Sequence, residues 1–356
     1  MQTENRGQPE ENSAPTFSIL CTAYQTEPYL AATIASVLAQ TRQDWELVVV
    51  DNGLSDEIAA IVRSYQHDLR IRLIRQENRG IVGGVMAAAA AARGEYFVVL
   101  DSDDGITPDF CARMGAVLEA HPEIDALGCD AVCFADPGGH QLPRSYLRSM
   151  GVRRPPQLER RLHVADIIRG EQPYYSSAFR RAAWEAVGGY ETDAPKAEDL
   201  SILLRLAVAG FDVRAIPDRL GRYRIREDST SRHPSNVESF EESVERALDS
   251  AVRESGRPED LAALRTRRRQ VRYMQALRRA RWAFQHGDVG DARREVRRAY
   301  DERRTLRTAA LLAALSVAPG LLRQVHPLKQ RLTEYVNRIA GRVTRVTRRV
   351  ARRGTA

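Results

Sequence analysis

Short β-branched runs and stretches of helical apolar spacing alternate through the first hundred residues. Positions 17–20 (FSIL) predict a strand and 29–39 a helix. The run 45–50 (WELVVV) is apolar and β-branched, as in strands buried on both faces of a parallel sheet. Positions 55–65 follow as a helix, with Ser55 placed to cap it and Asp56 and Glu57 in its first turn. A strand at 71–74, an alanine-rich helix at 82–93 and a strand at 96–100 (YFVVL) complete the series. This repetition predicts a doubly wound α/β sheet, mostly parallel, with helices on both faces.

The pattern beyond is less regular. Positions 110–120 predict a helix, and 136–156, with four prolines and three glycines, predict loop. A strand at 174–179 leads into a helix at 181–187 that ends at Gly188-Gly189, and a helix at 200–209 stops before Gly210. From position 237 the pattern is helical, with an arginine-laden hairpin over 272–300 broken at Gly287-Asp288-Val289-Gly290. After Pro319-Gly320, Leu332, Val336, Ile339, Val343, Val346 and Val350 fall near one stripe of a basic amphipathic helix. The expected organisation is a disordered tail (1–15), an α/β domain (16–235, with halves 16–105 and 106–235) and a helical, Arg-rich region (236–356).

Charge sharpens this division. Residues 1–264 hold 29 basic and 41 acidic side chains, a net of −12, whereas 265–356 hold 25 basic and 6 acidic, a net of +19. An acidic body needs cations or carries carboxylate chemistry; a basic tail seeks an anionic partner. The 43% hydrophobic content of the 356 residues excludes a disordered or fibrous chain. Cys21, Cys111, Cys129 and Cys133 form no CxxC pair and no zinc spacing, so a reducing cytosol is expected. No secretory signal is evident, and the apolar run 309–322 falls short of the roughly 18 to 20 residues that span a bilayer.

Ligands of doubly wound sheets gather at the carboxyl ends of the strands. The exits here read Cys21-Thr22-Ala23-Tyr24, Asp51-Asn52-Gly53 and Asp101-Ser102-Asp103-Asp104. Carboxylates this close raise one another's pKa unless a cation sits among them. Mg²⁺ or Mn²⁺ supplies that charge and bridges to a diphosphate. The same residues also make good turn chemistry, so residue types alone leave both readings open.

The ordered motifs SILCTAY, ELVVVDNGLSD, ENRG, GEYFVVLDSDD, AFRRAAWEAVGGY, AEDLSILLRLAVAG and YRIREDSTS span residues 17–231. Together they resemble glycosyltransferase family 2, the inverting, nucleotide-sugar-dependent enzymes of the Rossmann-like GT-A fold. The resemblance implies that Thr22 and Tyr24 surround the nucleotide base, that Asp51 accepts a hydrogen bond from it, and that Arg79 lies near the nucleotide. Asp101, Ser102 and Asp103 match the DxD motif, with Asp101 on the ribose and Asp103, aided by Asp101, on the metal. Asp199 matches the general base, with Glu198 beside it. Ser176, Ser177, Arg180 and Gly189 fall in the region that shapes the sugar and acceptor site, while Arg205 is expected to form a structural ion pair.

The chemistry is consistent with those roles, since inverting transfer needs a base for the acceptor hydroxyl and positive charge on the departing diphosphate. Three positions depart from the family pattern. DNGLSD replaces the common DDGSxD, the alanine-rich helix lacks an arginine-asparagine pair, and Arg226 stands where many members carry a histidine. Arginine has no lone pair for a metal but donates charge-assisted hydrogen bonds to phosphate. His233 is the alternative ligand, or a surface histidine.

The expected function is transfer from a nucleoside-diphosphate sugar, a UDP-sugar, to a lipid-linked or polysaccharide hydroxyl in envelope or exopolysaccharide assembly. The QxxRW motif of processive synthases is absent, which favours addition of one or a few sugars. The alternative is a non-catalytic nucleotide-sugar-binding scaffold at the membrane surface. The basic tail fits an anionic membrane surface, at the inner face of the cell membrane, better than nucleic acid, because no aromatic-rich RNA motif or DNA-binding module accompanies the charge.

Overall fold

The computed structural model describes residues 14–136, 138–150, 152, 154–170, 177–226 and 234–317. The expected tail before residue 14, Ser176, His233 and the amphipathic helix after Pro319 lie outside the described residues.

The first half alternates as the hydrophobic pattern requires: β1 (Phe17–Ala23), α1 (Glu27–Leu38), β2 (Trp45–Asn52), α2 (Asp56–Tyr65), β3 (Ile71–Gln76), α3 (Gly80–Ala91) and β4 (Tyr96–Val99). Side chains along a strand point alternately to the two faces of its sheet, and both faces here are apolar. Phe17, Ile19 and Cys21 of β1, Leu47 and Val49 of β2, and Val98 of β4 join one core with Leu30, Ile34, Ile58 and Val62 of α1 and α2. Leu20, Val48, Val50 and Phe97 join the opposite core with Val82, Val85 and Ala88 of α3. Helix α2 starts at its expected cap, the Ser55 hydroxyl accepting from the Ile58 N–H at 3.3 Å.

The second half adds β5 (Gly105–Ile106), α4 (Phe110–Ala120), β6 (Ala126–Ala135), β7 (Gln141–Ser145), α5 (Tyr146–Ser149), α6 (Val164–Ile168), β8 (Ala178–Arg180), α7 (Arg181–Ala186), α8 (Glu198–Val208), β9 (Val213–Ile225) and α9 (Pro234–Ser255). The sheet order is β3-β2-β1-β4-β8-β6-β9-β5, with β7 beside β6. It is parallel from β3 through β4 and mixed beyond, where β8 runs antiparallel to both β4 and β6. Neither β6 nor β9 announces itself. The sequence of β6, ALGCDAVCFA, is poor in β-branched residues, and β9 carries Pro217 and five charges. The pairing of β6 with β9 shifts register around Asp130, which accommodates the Pro217 stretch. Residues 141–149, expected as loop, form β7 and α5.

The chain divides into compact units at 264/265, where its net charge changes sign. Helix α9, expected with the C-terminal region, belongs to the first unit, its Ala247, Leu248 and Ala251 sharing a core with Leu203 of α8. Helix α10 (Pro258–Gln285) runs across the boundary, and in the second unit its later part meets α11 (Val289–Glu302) and α12 (Leu306–Val317) through Ala280, Ala283, Ala292, Val296 and Leu315. The break between α10 and α11 falls where expected, and Asp288 caps α11 by accepting from the Asp291 N–H at 2.8 Å. No helix among the described residues is long and apolar enough to cross a membrane.

Close approach of α3 to the end of β1 depends on Gly84, where an added Cβ would stand 2.2 Å from Cγ2 of Thr22. Gly84→Ala is expected to destabilise the protein by about 1–3 kcal/mol through overpacking. Denaturant unfolding of the two proteins measures this, and equal midpoints would contradict the contact.

Candidate functional site

The carboxyl ends of β1, β2 and β4 lie side by side, as their registers require. Ala23 pairs with Asp51, and Leu20 pairs with Val99 two residues before Asp101. The chain then turns tightly, the Asp104 N–H donating to the Asp101 carbonyl at 3.0 Å. Buried polar groups fasten this turn. The Ser102 hydroxyl lies 2.8 Å from that of Thr26, and Thr33 Oγ1 donates to the carbonyls of Ser102 at 2.9 Å and Asp104 at 2.7 Å. One carboxylate oxygen each from Asp101, Asp103 and Asp104 lie within 4.8 Å of one another.

The end of β9 brings positive charge to this turn. The Arg224 backbone N–H donates to Asp104 Oδ1 at 2.6 Å, and its Nε donates to the Asp103 carbonyl at 2.6 Å. Arg226 reaches the Asp103 carboxylate itself, Nη2 to Oδ2 at 3.2 Å. The ring of Tyr29 receives both guanidinium groups, each carbon 4.8 Å from its centroid.

The first turn of α8 supplies the acids on the other side. Asp101 is solvent-exposed, yet protein crowds around its carboxylate. Burial, then the charges of Asp103 and Asp199, push its pKa up to about 7. Asp199 and Glu198 are both raised, burial being the first cause in each, and Glu198 is raised further by Asp199 and by Asp101. The buried Tyr190 hydroxyl is raised by burial and then by Asp199, Glu198 and Asp101. These mutual effects bring the Asp101 cluster and the α8 acids into one electrostatic site. The Asp199 carboxylate accepts from the Leu200 N–H at 2.7 Å, whereas Glu198 Oε2 is buried without a partner among the described residues.

Other expected residues divide by position. Thr22 stands at the β1 exit with its buried hydroxyl unpartnered among the described residues. Tyr24 is 45% exposed, beside Gly53. Arg79, at the start of α3, is exposed and donates its backbone N–H to Asn52 Oδ1 at 3.2 Å. Asp51 is at the expected exit but wholly buried, accepting from the Ser55 N–H at 3.0 Å and Arg75 Nε at 2.9 Å. Its carboxylate holds the β2–α2 turn, which corrects the expectation of a group open to a base. Strand β8 runs against β4, with Val98 paired to Ala178 and Tyr96 to Arg180. Ser177 therefore lies toward the Asp101 end, buried with its hydroxyl unpartnered among the described residues.

Arg180 lies at the opposite end of β4, bound to Glu95 at 2.7 Å and to the carbonyls of Pro122 and Ile124. There it lines a concavity with Thr16, Arg93 and Glu95, so it is not a sugar-site residue. Gly189 also has a packing role: its φ is +65°, and an added Cβ would come 2.5 Å from the Trp184 indole nitrogen. Arg205 holds this turn, donating to the carbonyls of Val187 and Gly189 and pairing with Glu191 at 3.1 Å. Arg224, Tyr29 and Tyr190 reach the site without a local sequence signal of their own. The alternation in RYRIR would have identified Arg224 had β9 been recognised as a strand.

The three aspartates fit a hard divalent cation, whose opposed oxygen ligands lie about 4 Å apart. Asp104 is 4% exposed and committed to the Arg224 N–H, which leaves Asp101 and Asp103 as the residues that would hold the ion.

Residues 18–186 match the family model described as Glycosyl transferase family 2. The succinoglycan biosynthesis protein ExoO of Rhizobium meliloti (strain 1021) is 38% identical over 107 residues, 30% of each chain. The chain spans about a third of the length of the first curated relatives it matches. Among solved structures, residues 1–349 of S. aureus TarS superpose with a TM-score of 0.56 at 18% identity, covering 80% of this chain and 82% of that one. The mannosyltransferase PcManGT from Pyrobaculum calidifontis, in complex with GDP-Man and Mn²⁺, gives 0.55 at 18% identity, covering 86% and 81%. These likenesses establish a GT-A-like fold.

Because Asp101, Glu198 and Asp199 bind protons more tightly folded than unfolded, stability falls as pH rises from about 4 to about 8. Asp68, kept low by the Arg70 guanidinium, titrates below this window. In a chelator the melting temperature is expected to be higher at pH 5.5 than at 7.5, with Asp101→Asn flattening the difference. A melting temperature that climbs across this interval would contradict the site's electrostatics.

Proposed function

Because the chain belongs to glycosyltransferase family 2 through its domain at residues 18–186, we propose that it transfers a sugar from a nucleoside-diphosphate sugar, a UDP-sugar, to a hydroxyl acceptor with inversion. The observation that carries this reading is the single electrostatic site formed by the Asp101 turn and the first turn of α8. Thr22, Tyr24 and Arg79 border the nucleotide, Asp101 and Ser102 the ribose side, and Ser177 the sugar side.

Asp199 accepts the acceptor's hydroxyl proton as its oxygen attacks the anomeric carbon. The bond from that carbon to the diphosphate oxygen breaks in the same displacement, so an α-linked donor gives a β-linked product. The raised pKa of Asp199 makes it a stronger base than an ordinary carboxylate. Asp101 and Asp103 would hold a divalent cation, Mn²⁺ or Mg²⁺, which would supply positive charge against the leaving diphosphate. Tyr190 is buried close enough to feel Asp199, Glu198 and Asp101, its ring 5.1 Å from that of Trp184.

The acceptor is a glycan or lipid-linked hydroxyl in exopolysaccharide assembly. Residues 265–356, with a net charge of +19, hold the protein at an anionic lipid surface on the cytoplasmic side. Exposed Trp282, Leu306 and Val317 among these arginines support that attachment.

Asp199→Asn is expected to lower transfer by about 10²–10⁴-fold while nucleotide-sugar binding persists. Product formation and donor calorimetry measure the two effects. A wild-type protein that binds donor without turnover would instead be the scaffold. In flotation assays the full chain is expected to rise with anionic vesicles and not with neutral ones. Equal flotation after deletion of 318–356 and reversal of Arg278, Arg281 and Arg293 to Glu would exclude the basic region as the anchor.

A further inference from the structure

The two arginines at the end of β9 are held differently. Arg224 is built into the turn through the Asp103 carbonyl, and its Nη1 lies 3.3 Å from Asp136 Oδ1. Its guanidinium carbon also sits 4.7 Å from the Phe134 ring centroid. Arg226 is directed at the carboxylate of Asp103, one of the two residues that would hold the cation. Both side chains of that pair are largely enclosed, Arg226 at 14% and Asp103 at 22% exposure. Tyr29 gives the Arg226 guanidinium a flat surface to slide on, and the Tyr29 hydroxyl is itself tied to Asp136 Oδ2 at 3.3 Å.

A guanidinium against Asp103 and a divalent ion on the same carboxylate repel each other, so each weakens the other's hold. A diphosphate changes the balance. Its paired oxygens match the planar fork of arginine better than one carboxylate oxygen at 3.2 Å does. We propose that Arg226 is a donor-binding residue: it neutralises Asp103 in the nucleotide-free protein and passes to the diphosphate when the nucleotide binds. The proposal rests on the donor site described above and deepens it. Much of the nucleotide affinity then comes from the chain's own cation and survives removal of the metal.

The full-length protein and its Arg226→Gln and Arg226→Lys variants test this, with melting curves confirming that each is folded. Calorimetry follows UDP, GDP and dTDP in chelator and in saturating Mn²⁺, and electron paramagnetic resonance follows Mn²⁺ alone. Two effects of opposite sign are expected for Arg226→Gln. Mn²⁺ alone binds more tightly, because Asp103 is released, and the preferred nucleotide in chelator binds about tenfold or more weakly. Arg226→Lys falls between, keeping the charge without the fork. A purely structural ion pair gives no such inversion. Unchanged nucleotide affinity of Arg226→Gln in chelator overturns the proposal, as does a wild-type protein that binds nucleotide only with Mn²⁺. If none of the three nucleotides binds the wild type under either condition, the donor site itself fails, and this inference with it.

Discussion

Repulsion among carboxylates at the strand exits is the constraint around which the first unit is built. Asp101, Asp103 and Asp104 crowd one turn, and Glu198 and Asp199 act on the same space. Two like charges about 4 Å apart cost about 4 kcal/mol at the effective dielectric of a protein surface. The offset comes from the Arg224 N–H on Asp104, from Arg226 on Asp103 and from proton uptake by Asp101 and the α8 acids.

Rigid strands keep the acids from separating. Leu20 and Cys21 of β1 face opposite cores one residue before the exit, and Phe97 and Val98 do the same in β4. The strand ends therefore cannot twist away without exposing apolar side chains on one face or the other. Below them, Thr33 of α1 binds two carbonyls of the Asp turn, so its backbone is fixed from the helix side as well. Hydrophobic burial on two faces thus supplies the stability that a concentrated acidic site draws upon.

The same reasoning explains what the sequence could reveal. Strands β1, β2 and β4 are buried on both faces and need continuous β-branched or aromatic residues, so the pattern identifies them and places Asp101 and Asp103 at an exit. Strand β6 satisfies its burial with Ala, Gly and Cys, and β9 carries charges that are paired only after folding; neither leaves a local signature. The error at Arg180 has a related cause. A three-residue strand does not disclose its direction, and because β8 runs against β4, Ser177 goes to the site end and Arg180 to the far end. Asp51 was found at its exit, but its burial depends on Arg75, one strand away.

Arginine supplies nearly all the positive charge on the chain: of 54 basic side chains, only Lys196 and Lys329 are lysines. A guanidinium stays charged throughout the range in which Asp101, Glu198 and Asp199 gain and lose protons. The cations facing the cleft are therefore constant, and its net charge follows the acids alone. Lys196 stands two residues before Glu198, and its ammonium donates to the Ser239 hydroxyl of α9 at 2.6 Å, fixing the approach to α8. The charge of this site is thereby adjusted by the protons that Asp101, Glu198 and Asp199 take up. On the proposed reading, a diphosphate would draw Arg226 away from Asp103 and leave that carboxylate to the cation.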